Sequence, residues 1–216
     1  MTDVLADLDA RLEGVSRLVS LDMETTGNRA PTARDLARMP KGMKPPGLII
    51  EIGCVEMLLT DEGWQKGATW SSRVRPDAPI SPGSIRIHGI RPADLTRSPR
   101  FAEVADELLA FLGDAPLVAH AATNEQDYLN YEFRRIGRLG WEEEMFLRDR
   151  FLCTQLLSHA VFPRQSGSLD ALCDRLWLDR SDRFQHHGAL LDADLTADAF
   201  IKFVTRQVEQ GVEFAT

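Results

Sequence analysis

Residues 17–27 read RLVSLDMETTG. Val19, Leu21 and Met23 fall on one side of this stretch, and Ser20, Asp22 and Glu24 on the other. A period of two residues is the mark of a β-strand. One face is wholly apolar, which predicts a central strand. On the other face Asp22 and Glu24 stand at i and i+2, their backbones about 6–7 Å apart. Two carboxylates side by side in a partly buried place repel each other, and desolvation adds to the cost. A divalent cation resolves both problems; an exposed strand face with scattered acids is the plain alternative. The TTG that follows supplies backbone and hydroxyl groups at the strand end.

The segments around this strand extend the pattern. GLIIEIGCVEMLLT (47–60) is a long aliphatic run and predicts a buried strand. DEG (61–63) predicts a turn, and GATWSSRVRP (67–76) the returning strand of a hairpin. Helical spacing covers Phe101 to Leu112, then about 124–138, 168–177 and 188–206. Short strands are expected at APLVAH (115–120) and FLCT (151–154). Three strands followed by alternating helix and strand predict an α/β fold. Its mixed five-stranded sheet is an antiparallel meander continued by parallel strands, flanked by helices.

The 216 residues suit one domain. Residues 1–16 predict a short amphipathic helix with Leu5, Leu8, Leu12 and Val15 on one side; 17–206 form the main domain, and 207–216 a short tail. Residues 28–47, rich in Pro, Gly, Arg and Lys, read as a basic loop insertion. There is no run of about 18 apolar residues, so no membrane span is expected. The three cysteines, Cys54, Cys153 and Cys173, are far apart and suit neither a disulfide framework nor a zinc site. With no secretory signal at the N-terminus, they point to the cytoplasm.

The net charge of −8 argues against a protein that coats duplex nucleic acid. Basic residues cluster in 73–100 and 28–47 all the same, so one strand could be held at one place; two solvated basic loops would give the same pattern.

Two further stretches carry candidate chemistry. In QHHGALLDAD (185–194), His187 precedes Asp192 by five residues at a helix start. A histidine there can serve as a general base near neutral pH. Asp192 shares a helix face with Ala189, Leu195, Ala199 and Phe203, and an acid on an apolar stripe needs a partner such as a metal. His186 reads as a solvated neighbour. In HAATNEQDYL (120–129), Glu125 and Asp127 face nearly opposite ways on a helix. Glu125 shares its face with Tyr128, Leu129, Phe133 and Ile136, the stripe that must pack on the sheet. Asp127 shares its face with Asn130, Tyr131, Arg134, Arg135 and Arg138, expected to be solvated and to offer it an arginine partner.

Taken in order, DMETTG, IIEIG, IRIHGI (85–90), SLDALC (168–173) and HHGALLDA resemble the DEDDh-type 3′→5′ exonuclease family, most like its proofreading epsilon-subunit branch in bacterial DNA polymerase III. The resemblance covers roughly residues 17–205. It implies a ribonuclease H-like exonuclease fold and release of nucleoside 5′-monophosphates from the 3′ end of DNA, in proofreading or repair. RNA or oligonucleotide substrates, or a weakened nucleic-acid-binding module, are the alternatives. Asp22, Glu24 and Asp192 match the family's metal ligands, and His187 its general base. Thr25, Thr26 and Gly27 match the backbone bordering the 3′-terminal nucleotide, and His88 a side chain near the terminal base. Mg²⁺ or Mn²⁺ is implied, two ions per site.

The middle motif departs from the family, which has His-Asn-Ala, two residues, then Asp preceded by Phe. Ungapped alignment puts Glu125 at the Asp position, Ala121 at the Asn and Asn124 at the Phe; a two-residue gap would recruit Asp127 instead. Single-stranded or frayed 3′ ends of DNA, and possibly RNA, are the implied partners. Only about ten residues follow the last helix, which makes docking on a polymerase through a long tail doubtful.

Overall fold

The structure, a computed structural model, describes residues 2–32, 47–184 and 187–206. Its sheet is built from β1 (Arg17–Thr25), β2 (Ile49–Thr60), β3 (Gly63–Arg73), β4 (Leu117–Ala119) and β5 (Phe151–Cys153) in the order β3-β2-β1-β4-β5. β1 pairs antiparallel with β2 and parallel with β4; β2 pairs antiparallel with β3, and β4 parallel with β5. The meander-then-parallel reading therefore holds, with β1 at the centre. The hairpin is tighter than expected. β3 begins at Gly63, whose φ of 103° closes a two-residue turn, and ends at Arg73, so the returning strand is not 67–76.

The helices are α1 (Thr2–Leu12), α2 (Pro82–His88), α3 (Phe101–Leu112), α4 (Thr123–Arg135), α5 (Thr154–Val161), α6 (Leu169–Arg175) and α7 (Ala189–Val204). α3 and α4 cover one sheet face, where Val19, Leu21 and Met23 meet Phe101, Leu108, Leu129 and Phe133. α1, α5 and α7 cover the other, where Leu18 and Val118 meet Leu5, Leu8, Leu157, Ala197 and Phe200. The α1 stripe expected from Leu5 and Leu8 is thus spent inside the molecule. The polar side of β1 is buried as well: Ser20 is fully enclosed and donates to the Ala193 carbonyl at 2.7 Å.

Helices α2 and α5 were not legible in the sequence. α2 is seven residues long, capped by the Ser81 hydroxyl on Ser84 N–H and closed by Gly89 at φ 72°. α5 follows β5 directly. The far side of α4 is not solvated as expected. Asn130 and Tyr131 are buried because the following loop folds over them: Asn130 accepts from the N–H groups of Met145 and Phe146, both at 3.0 Å, and Tyr131 packs near Trp141.

Most of the basic insertion lies outside the described residues, as do His186 and the tail. The foot of the insertion is seen: the Thr26 hydroxyl accepts from Gly47 N–H at 2.9 Å and Leu48 N–H at 2.8 Å. Among the described residues, no helix is long and apolar enough to cross a membrane.

Candidate active site

The central strand delivers Asp22 and Glu24 to one end of the sheet, where three other elements converge. Asp22 stands opposite Gly53 of β2 in the register. A Cβ at Gly53 would lie 2.2 Å from Leu190 N and 2.3 Å from Ala189 C, so only glycine lets the first turn of α7 lie this close to β2. That turn carries Asp192. Glu51, paired with Glu24 in the register, accepts from Ala189 N–H at 3.0 Å and so caps α7 from the sheet; its other oxygen takes Arg73 at 3.1 Å. The sequence IIEIG therefore places α7 against the strand that bears the acids.

Glu24, His187 and Asp192 each turn one ligand-capable atom to a common point, all within 4.8 Å of one another. His187 Nδ1 is 3.5 Å from Asp192 Oδ2. Glu24, Glu125 and Asp192 are buried, at 8%, 7% and 4% exposure. Glu125 lies outside that tight trio but faces the same end of β1 from α4, as its helix face predicts. Asp127 is exposed. Its expected arginine pairing is not found: among the described residues it makes no ion pair. Arg134 is turned to the carbonyls of Gly140 and Glu143, Arg135 to Glu132 and Asp77, and Arg138 to Asp106.

Burial, then the negative charges of Asp192, Glu125 and Glu24, push the Asp22 carboxyl well above the usual carboxylate range. Burial, then Asp192 and Glu51, lift Glu24 to about 8. Burial lifts Glu125 to about 8 as well, with Asp127 adding to the rise. Asp192 goes the other way: burial raises it, but the neighbouring His187 and the Arg183 guanidinium outweigh that and leave it lowered. Four acids thus gather at this end of β1, and burial above all raises three of them. Glu125 Oε2 is buried and has no hydrogen-bond partner. A buried carboxylate oxygen left unpaired is costly, and an all-oxygen carboxylate set suits Mg²⁺ or Mn²⁺. The residues therefore fit a divalent metal.

Two small cavities flank the acids and meet at His88. One, of about 170 Å³, is lined by Glu24, Thr25, Gly27, Ile87, Glu125 and Tyr128 among others. The second, of about 270 Å³, runs past Glu51, Arg73, Asp94, His187 and Gly188. The Tyr128 hydroxyl donates to the Gly27 carbonyl at 2.6 Å and fixes the turn after β1. Thr26 does not line the cavity; it is buried behind it, holding the foot of the insertion. His88 Nδ1 accepts from Ile90 N–H at 3.0 Å, so Nε2 carries the proton. That Nε2 is buried with no hydrogen-bond partner. Burial holds the His88 pKa below its ordinary value.

One residue of the site was missed from the sequence. Arg183 sits in a short 3₁₀ turn (Ser181–Phe184) with its side chain 9% exposed, and its guanidinium spans the acids. Nε and Nη2 donate to the two oxygens of Asp192 at 2.6 and 2.9 Å. Nη2 also lies 2.9 Å from His187 Nδ1, and Nη1 donates to Asp170. Burial lowers the pKa of Arg183, but Asp192 and Asp170 outweigh it, so the group is locked in its charged form. An arginine in a polar run with no periodic pattern gives no signal in a single sequence.

A mixed sheet between helical layers, with four carboxylates gathered at the end of its central strand, defines the class: an RNase H-like nuclease fold. The model of the Exonuclease family matches residues 19–200, and the chain belongs to that family. It is 34% identical over 204 residues to the DNA polymerase III subunit epsilon of Haemophilus influenzae, covering 92% of this chain and 73% of that one. Among solved structures, Exonuclease X in complex with 5′ overhanging duplex DNA aligns with a TM-score of 0.59 at 23% identity, over 88% of this chain and 92% of that one. The nuclease domain of 3′hExo, a DEDDh family member bound to rAMP, aligns with a TM-score of 0.66 at 17% identity, over 90% and 94%. The ribonuclease H-like reading of the fold stands.

Proposed function

We propose that the chain is a divalent-metal-dependent exonuclease that removes nucleoside 5′-monophosphates from the 3′ ends of single-stranded or frayed DNA, in the manner of a proofreading or repair nuclease. The observation that carries this is the convergence of Asp22, Glu24, Glu125 and Asp192, three of them lifted in pKa and one with an orphaned buried oxygen. The epsilon name of a relative that matches nearly the whole chain supports DNA as the substrate. No membrane-spanning helix and no disulfide, among the described residues, suits work in the cytoplasm.

Asp22, Glu24 and Asp192 would hold one ion, and Glu125, with Asp22, a second. The bound ions supply Lewis acidity to the scissile phosphate and a water of lowered pKa. The chain's own groups do the rest. His187, which lines the 270 Å³ cavity, takes the proton of the attacking water. His88 stands beside the terminal nucleotide in the cavity that it lines with Thr25, Gly27 and Tyr128. Thr26 supports that wall from behind. With Asn124 lining the cavity where the family carries a phenylalanine, the terminal base meets a more polar wall.

The test is product analysis on 3′-labelled DNA and RNA strands of one sequence, with Mg²⁺ or Mn²⁺. Labelled 5′-monophosphate should appear first from DNA and vanish with chelator. Internal cuts, or turnover in chelator, would contradict the reading; faster turnover of RNA would move the substrate to RNA.

A further inference from the structure

We propose that Arg183 is a displaceable counter-ion, holding Asp192 and His187 in a closed arrangement that a divalent cation must open before the site can turn over. This rests on the metal-centre reading above. It accounts for the one motif residue that reading leaves without a task, Asp170 of SLDALC.

The contacts argue it. Arg183 takes both oxygens of Asp192, and a metal needs at least one of them. An arginine only donates, so at 2.9 Å from Nη2 the His187 Nδ1 must accept. A neutral imidazole that accepts at Nδ1 carries its proton on Nε2, and a nitrogen already protonated cannot be a base. With the guanidinium withdrawn, Nδ1 can carry the proton and donate to Asp192 Oδ2, now 3.5 Å away. Nε2 then presents its lone pair to water. The same contact thus blocks the ligand and sets the wrong tautomer.

The retreat has an anchor. Nη1 is already on Asp170, which is 44% exposed and lies on the solvent side of the guanidinium. Arg180, 3.6 Å from Asp170, widens that outer ion-pair patch. Arg183 can leave Asp192 without losing its charge partner, and the incoming ion replaces it on Asp192.

The experiment follows the wild-type chain by NMR and its Mn²⁺ affinity by calorimetry. The Arg183 Nε–H resonance is assigned by its loss in Arg183→Lys, then watched as Mg²⁺ is added. It should move from its carboxylate-bonded position as the site fills. Arg183→Gln, checked for fold by circular dichroism, should bind Mn²⁺ about tenfold tighter, and Arg183→Lys should lie between. An Nε–H resonance unmoved at saturating Mg²⁺ would overturn the displacement, even where the Gln variant fails to fold. So would unchanged or weaker Mn²⁺ binding by a folded Gln variant. Absence of Mn²⁺ binding in wild type and variant alike would instead overturn the metal-centre reading, and this proposal with it.

Discussion

At the scale of the residue, Glu125 carries the most information. Its face on α4 was legible in the sequence, because Tyr128, Leu129 and Phe133 share it and all are buried. Its burial inside a ring of acids was not, since that needs Asp22 and Asp192 to arrive from two other elements. The consequence for stability has a definite sign. A carboxyl raised to about 8 in the fold from an ordinary value near 4.3 favours folding fully below the ordinary value, and that favour is lost as pH rises toward 8. Glu125→Gln should therefore gain stability relative to wild type as pH goes from 5 to 8.5, measured by thermal melts in chelator. Its Mn²⁺ affinity should fall. Ala121 makes a second case. It holds φ 63°, where a Cβ is strained, and the family's asparagine tolerates that region better. Ala121→Asn should stabilise the chain by about 0.5–1 kcal/mol, seen as a higher melting temperature with turnover retained.

At the scale of the element, the decisive contact is α7 on β2. The strand IIEIGCVEM was legible as a buried strand, but the task of Gly53 was not, because a glycine in a strand reads only as a weak spot or bulge. The structure gives it a purpose: it admits the backbone of Ala189 and Leu190 opposite Asp22. Gly53→Ala should push α7 outward, costing about 1–3 kcal/mol of stability. It should weaken Mn²⁺ binding, because Asp192 moves away from Glu24. Calorimetry on the variant at a temperature where it is fully folded checks this; unchanged affinity would mean that α7 is positioned by other contacts. α2 escaped the sequence reading for the opposite reason. Seven residues with Gly and Pro in the first turn carry no period, and the helix rests on its Ser81 and Gly89 caps.

At the scale of the whole molecule, the layer order, the central place of β1 and the parallel continuation through β4 and β5 all followed from hydrophobic periodicity and element order. The site followed only in part. Asp22, Glu24, His187 and Asp192 stand in motifs, whereas Arg183 and the Glu51 cap act through contacts that span 9 and 138 residues of sequence. The acid cluster also sets a global pH dependence. With Asp22, Glu24 and Glu125 all raised, the chain in chelator should lose stability between about pH 4.3 and 8, and saturating Mg²⁺ should restore it most at the alkaline end. Melting curves across that range, with and without Mg²⁺, test the sign. The central claim is that Glu125, and not Asp127, completes a working metal centre with the three motif acids. The most direct measurement is the single-turnover rate of 5′-monophosphate release from a 3′-labelled DNA strand at saturating Mn²⁺, for wild type, Glu125→Gln and Asp127→Asn. The account predicts a loss of a hundredfold or more, on the order of 3 kcal/mol, in Glu125→Gln and a rate within about twofold of wild type in Asp127→Asn. The reverse order, or a wild type with no Mn²⁺-dependent release, would contradict it.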